Sequence, residues 1–278
     1  MDEKLRRITL EEHKNIMLNI LKEFRDFCDK NNLRYFLDAG TLLGAVRHKG
    51  YIPWDNDADV CMPREDYNRF LSLMAQKNDK ISEHIVLERP QDTIYQYLKI
   101  GDNRTCLIEF PTTNPIECYV YIDVFPKDGI YDLSKKSKKV CKKSERLGLW
   151  HWFNKYSINY WIAKKSGIKK LVAKIAKIFT KNYNWAYEKQ CKFIAKYNKK
   201  HPYETCKYVT TLVNGEFHKC ASIEYFKDYC ILDFEGEKFK APIGYDGYLR
   251  ALYKGDYMQL PKEEDRHVHN VDAFYREV

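Results

Sequence analysis

Two aspartates separated by one residue open an apolar run, Trp54-Asp55-Asn56-Asp57-Ala58-Asp59-Val60-Cys61. In extended chain, alternate side chains share a face. Asp57 and Asp59 therefore point the same way, with Cα atoms about 7 Å apart, while Ala58 and Val60 face the opposite, packed side. Carboxylates held that close repel each other unless a proton or a cation lies between them. The segment thus calls for a sheet covered on one side and a place for a cation on the other. A hard divalent ion, Mg2+ or Mn2+, suits such oxygen donors and binds phosphate oxygens at the same time. An acidic surface turn is the plain alternative.

Two neighbours bear on the choice. Gly40-Thr41 follows the strand candidate Leu33–Leu37 and opens a short helix, where free N–H groups and the positive dipole end favour a phosphate. Asp123 stands inside Tyr119-Val120-Tyr121-Ile122-Asp123-Val124-Phe125. A carboxylate in so apolar a strand needs compensation, either from a shared metal or from a buried Lys or Arg. Gly-Thr after one strand, Asp-x-Asp on the next and a third Asp on a later strand resemble the nucleotidyltransferase-fold superfamily.

The run from Asp38 to Asp59, DAGTLLGAVRHKGYIPWDNDAD, is similar to the hallmark of the LicD family of phosphorylcholine transferases, related to fukutin-related proteins. Tyr121–Gly129 (YIDVFPKDG) and Tyr253–Pro261 (YKGDYMQLP) resemble two further family blocks, the latter with one extra residue, Lys254. Asn56 and Ala58 stand where an acid and Ile are more usual. The resemblance covers about residues 10–130 and the last fifty. It implies an α+β fold, a nucleotidyltransferase-like mixed sheet flanked by helices, with a basic helical insertion. It also implies a phosphotransferase that takes phosphocholine or a related phospho-alcohol, ribitol phosphate included, from a CDP-alcohol such as CDP-choline. The acceptor would be a hydroxyl of teichoic acid, lipopolysaccharide or a similar surface glycan, with CMP released.

On this reading Asp57, Asp59 and Asp123 hold the metal, and Asp123 or Asp55 takes the acceptor proton. Gly40 and Thr41 cradle phosphate, and Arg47 and Lys99 reach the donor. Trp54, with Tyr51, offers a face to a quaternary ammonium, and Arg266 and His267 stand ready for phosphate.

The boundaries expected are 1–132 for the catalytic core, 133–207 for the insertion and 208–278 for a segment packing on the core. The whole chain carries +9, yet Lys135–Lys200 holds 20 Lys or Arg against two acids, Glu145 and Glu188, so the remainder is net acidic. Such asymmetry points to an anionic partner, a membrane or nucleic acid. Ile168, Leu171, Val172, Ile175, Ile178 and Phe179 share one helical face with lysines opposite, the pattern of a helix lying in an anionic membrane interface. No leader and no membrane span is evident, and the nine cysteines contain no CxxC pair. The expectation is reduced thiols in a cytoplasmic protein, peripheral at the inner face of the membrane, that binds no nucleic acid. An RNA-directed nucleotidyltransferase and a catalytically idle membrane-bound partner are the competing readings.

Overall fold

The computed structural model describes residues 6–109, 115–152, 167–168, 171–172, 175, 184–266 and 270–276. Two compact units divide the chain. Met1–Glu88, Leu98–Lys127 and Ala221–Val278 make the first, Arg89–Tyr97 and Asp128–Cys220 the second. In chain order the elements are β1 (Arg6–Arg7), α1 (Leu10–Lys30), β2 (Phe36–Leu37), α2 (Ala39–Arg47), β3 (Asp59–Pro63), α3 (Arg64–Gln76) and β4 (Ile85–Glu88). Then come β5 (Leu98–Glu109), β6 (Ile116–Ile130), α4 (Lys135–Trp152), α5 (Asn184–Lys200), β7 (Tyr208–Thr210), β8 (Ala221–Ser222), β9 (Tyr229–Phe234), β10 (Glu237–Pro242), α6 (Tyr245–Tyr253) and β11 (Val271–Tyr275).

Local chemistry sets α1. Thr9 Oγ1 accepts from the Glu12 N–H at 3.2 Å, and the Thr9 N–H donates to Glu12 Oε2 at 2.9 Å, which closes a capping box. Helical spacing then buries Ile16, Met17, Ile20, Leu21, Phe24 and Cys28 on one face. Phe24 stands edge-on to Tyr35 and Phe70, with ring centroids 5.4 and 5.6 Å apart. Asn31 caps the far end, and Asn32 turns the chain at φ 50°, a left-handed conformation that asparagine tolerates.

The mixed sheet of the first unit is organised by β5. On one side β5 pairs antiparallel with β6; on the other it pairs with β4 through Lys99–Asp102 and with β11 through Thr105–Glu109. β6 pairs in parallel with β3, β3 antiparallel with β2, and β1 antiparallel with β11. With its flanking helices this is the α+β class anticipated. In the second unit Ile130, Cys141, Ile194, Leu212 and Val213 form the core. There Gln190 of α5 donates to the carbonyls of Ser144 and Val213 at 2.9 and 2.8 Å.

Several local expectations change. Only Phe36–Leu37 of the first strand candidate pairs, and β3 begins at Asp59, so Asp57 lies in the loop before it. Residues 98–100 of the candidate Tyr95–Ile100 and residues 105–109 of the candidate Thr105–Phe110, expected as separate strands, belong to one strand, β5, whose register with β6 shifts between Asp102 and Leu107; residues 95–97 precede it, and Phe110 lies outside the described residues. There Arg104 turns back to Asp102, through its N–H at 3.0 Å and its Nε at 2.9 Å, which absorbs the irregularity that resembles a break. β1 and β11 were not anticipated. Of the amphipathic stretch, Ile168, Leu171, Val172 and Ile175 are helical and exposed; Ile178, Phe179 and His267 lie outside the described residues.

Candidate active site

Strand register assembles the acidic centre. Asp59 on β3 is the Cα partner of Asp123 on β6, Asp123 of Lys99 on β5, and Lys99 of Glu88 on β4. Cross-strand partners share a face, with strands about 4.8 Å apart, so Glu88, Lys99, Asp123 and Asp59 form one row across the sheet. Lys99 is 1% exposed; its Nζ lies 2.8 Å from Asp123 Oδ1, 4.0 Å from Glu109 and 3.2 Å from the centroid of the Tyr121 ring. The Tyr121 hydroxyl donates to Glu109. Lys99 was expected at a strand end reaching the donor; it stands near the start of β5, buried and paired with Asp123.

The compensation is incomplete. Burial, opposed by Lys99, leaves the Asp123 carboxyl raised to about 6. Asp59 is pushed well above the ordinary carboxylate range by burial and then by Asp57, Asp123, Asp38 and Asp55. Burial also raises Glu88 to about 7. Among the described residues, Asp55, Asp57 and Asp123 thus gather negative charge around Asp59, each raising its carboxyl, with Asp123 beside it in the sheet.

Asp57, Asp59 and Asp55 open onto a cleft of about 620 Å3, lined also by Gly40, Arg47, Trp54, Tyr253, Asp256, Tyr257 and Asp265. Gly40 lies in the first turn of α2, and a Cβ there would sit 2.8 Å from Asp55 Oδ2. The glycine is what lets Asp55 approach the helix end. Thr41 is buried, and its hydroxyl accepts from the Asp59 N–H at 2.7 Å, so its side chain braces the start of β3. Arg47 Nη1 donates to the carbonyls of Tyr257 and Gln259 at 2.8 and 3.2 Å, which fastens the end of α2 to the loop after α6. Trp54 is half-buried on the cleft wall, and the Arg266 guanidinium carbon lies 4.4 Å from the centre of its ring.

Sequence reasoning missed a second buried network. Asp38 caps α2 by accepting from the Ala39 N–H at 3.0 Å, and its other oxygen lies 2.7 Å from Lys127 Nζ. Tyr248 of α6 donates its hydroxyl to Asp38 and accepts from Lys127 at 3.1 Å. Lys127 and Tyr248 together hold the Asp38 carboxyl below its usual range despite burial. Asp38 and Lys127 stand in the first two sequence blocks quoted above, and that shared membership was the available signal. Tyr248 had none. His13 of α1 was missed as well; burial depresses its imidazole to about 4, with Asp57 opposing.

Lys254, the extra residue of the third block, closes α6 in the left-handed conformation at φ 52°. The insertion is thus absorbed at a helix end.

Residues 32–144 match the family model described as LicD/FKTN/FKRP, nucleotidyltransferase domain. The chain is 32% identical to the lipopolysaccharide cholinephosphotransferase LicD of Haemophilus influenzae, over 98% of this chain and 99% of that protein. An uncharacterized protein of Rickettsia typhi is 38% identical over 27% of this chain and 25% of its own length. Mannosyltransferase regulator 4 of Saccharomyces cerevisiae is 29% identical over 44% of this chain and 10% of its own length. The family-model match spans the helix cap at Asp38, the cleft aspartates Asp55, Asp57 and Asp59, and the Asp123 strand together, and the near full-length relative carries it to both ends: the chain belongs to the LicD family.

Proposed function

We propose that this protein is a metal-dependent phosphotransferase. It would move phosphocholine, or a similar phospho-alcohol, from a CDP-alcohol to a hydroxyl of a cell-surface glycan such as lipopolysaccharide or teichoic acid. The observation that carries the reading is the strand register that puts Asp123 beside Asp59, itself a lining residue of an aspartate-rich cleft, in a chain 32% identical over 98% of its length to a lipopolysaccharide cholinephosphotransferase. The acceptor oxygen bonds to the phosphorus carrying choline, the phosphorus–oxygen bond to CMP breaks, and the acceptor proton passes to Asp55 or Asp123.

A diphosphate entering a cleft lined by Asp55, Asp57, Asp59, Asp256 and Asp265 against the single lining arginine among the described residues, Arg47, meets net repulsion unless further cations offset it. This supports a divalent ion, Mg2+ or Mn2+, held by Asp57, Asp59 and Asp123. Among the described residues no three acidic, His or Cys side chains form a ready cage. Magnesium is ordinarily held by one or two carboxylates, with substrate phosphates and water completing its shell; Asp57 and Asp59, which line the cleft, fit that mode, with Asp123 the third acid beside Asp59 in the sheet. When bound, the ion neutralises charge developing on the phosphoryl group and on the leaving CMP. Thr41 fixes the start of β3 and Lys99 fixes Asp123, so both acids are oriented before substrate arrives.

The second unit supports a peripheral site on an anionic membrane, where a lipid-linked acceptor is built. Ile168, Leu171, Val172 and Ile175 are exposed, as are Trp150 and Trp185, within a lysine-rich segment. Among the described residues no helix is long and apolar enough to cross a membrane.

The test is CMP release from CDP-choline in the presence of Mg2+ or Mn2+. Asp57→Ala and Asp59→Ala should each reduce it at least a thousandfold. Full activity in both variants would overturn the site assignment.

A further inference from the structure

We infer that Glu235, at the tip of the β9–β10 hairpin, and Lys14 of α1 are positioning residues that hold the aspartate loop, residues 49–58, in its reactive shape. The inference rests on the phosphotransferase reading above and concerns how its carboxylates are kept in place.

The loop lies between α2 and β3 and belongs to no described helix or strand. Its upstream half is gripped by two elements distant in sequence. The Glu235 N–H donates to the Lys49 carbonyl at 2.9 Å, and Glu235 Oε1 accepts from the Tyr51 N–H at 2.8 Å. Lys14 Nζ donates to the carbonyls of Ile52 and Pro53 at 3.2 and 2.9 Å. The Ile52 carbonyl also accepts from the Asp55 N–H at 3.0 Å, so one tight turn passes the grip to Asp55 and the cleft. Burial lowers the Lys14 ammonium while Asp55 and then Glu235 oppose it, so the lysine feels both acids. Gly50 makes room for the Glu235 carboxylate: a Cβ there would collide with Oε1 and stand 2.8 Å from Cδ. The Tyr51 ring meets Phe234 edge-on, with centroids 4.7 Å apart.

The backbone of Glu235 argues for the same role. Glu235 and Gly236 form a two-residue hairpin turn, Phe234 facing Glu237, and both have positive φ, 52° and 76°. Glycine, asparagine and aspartate suit the first place of such a turn; glutamate is unfavourable there. Its reach to Tyr51, which glycine lacks and aspartate shortens by one methylene, gives the reason for it. Misplacing catalytic groups by about 1 Å through a distant change costs on the order of a hundredfold in rate. A loop released by the hairpin or by α1 lets Asp55 and Asp57 drift while the rest of the cleft persists.

CMP release from CDP-choline at saturating Mn2+, thermal melting and amide hydrogen exchange of residues 54–58, all in the full chain, test this. Glu235→Gly deletes the carboxylate but relieves the left-handed backbone, so it should melt within about 3 °C of the parent. Its kcat should nevertheless fall on the order of tenfold, with the KM for CDP-choline within about twofold. Lys14→Met should lower kcat similarly. Glu235→Gln, whose amide oxygen can still accept from Tyr51, should recover most of the rate. Parental kcat in either Glu235→Gly or Lys14→Met would overturn the inference, as would a loss that tracks melting and that Glu235→Gln leaves unrepaired. Should the parent release CMP from no CDP-alcohol, the transferase reading falls and exchange decides: the grip stands if Glu235→Gly speeds the amides of 54–58 about tenfold or more, and falls if their rates match the parent's.

Discussion

At the scale of single residues, the centre is governed by how buried charge is matched. Lys99 is fully enclosed and faces Asp123 at 2.8 Å and Glu109 at 4.0 Å. Deleting one member of such a pair strands the other away from water. Lys99→Met is therefore expected to lower the free energy of unfolding by about 3–5 kcal/mol in urea titrations. Lys99→Met combined with Asp123→Leu, an inactive protein, should recover part of that loss, because Asp123 is then no longer stranded, although Glu109 still loses the lysine. A single variant as stable as the parent would mean that the pair contributes nothing. The sequence announced that Asp123 needs a partner but not which one. Metal and lysine satisfy the same electrostatic demand, and Lys99 gave no sign of burial because its neighbours, Tyr97, Leu98 and Ile100, flank an exposed lysine equally well. Asp57 and Asp59 were legible because two carboxylates on alternate residues demand a cation; Asp256 and Asp265, which line the same cleft, carry no such spacing and were not singled out.

Among the elements, those fixed by near neighbours were the readable ones. The capping box and apolar face of α1, Pro63 at the start of α3 and the β9–β10 hairpin each depend on contacts within a few residues. β1 and β11 were missed because their pairing joins Arg6 to Tyr275 across the length of the chain, and no local periodicity records it. Asp57 was placed in the strand on alternation alone. The chain bends there because the Asp55 N–H donates back to Ile52 at 3.0 Å, and pairing resumes only at Ala58, whose carbonyl accepts from Asp123 at 2.8 Å. The end of α6 offers a test at this scale. Lys254 adopts φ 52° and ψ 61° as the C-cap, a conformation that a Cβ makes unfavourable by roughly 1–2 kcal/mol and glycine adopts freely. Lys254→Gly should raise stability by about 1 kcal/mol in thermal or denaturant melts, with the cleft unchanged. A lower melting point would show that the lysine side chain holds the turn.

For the whole molecule, charge and topology set the behaviour. The basic residues are concentrated in the second unit's part of the sequence, where apolar side chains such as Leu171 and Val172, each 58% exposed, stand among lysines. The protein should float with phosphatidylglycerol vesicles at low ionic strength and leave them as salt rises, since such attraction decays within a Debye length of about 10 Å at 0.1 M. Protein that stays at the bottom of the gradient at low salt would remove the membrane from the proposal. The parallel pairing of β3 with β6 has a different consequence. Asp59 meets Asp123 only through strands far apart in sequence, and a slip of one residue would turn Val124 toward the cleft and bury the carboxylate on the other face. Such a molecule would be inert rather than slow. Imperfect preparations should then contain a dead fraction beside fully competent copies, and turnover per titrated site should stay constant however much of the sample has folded correctly.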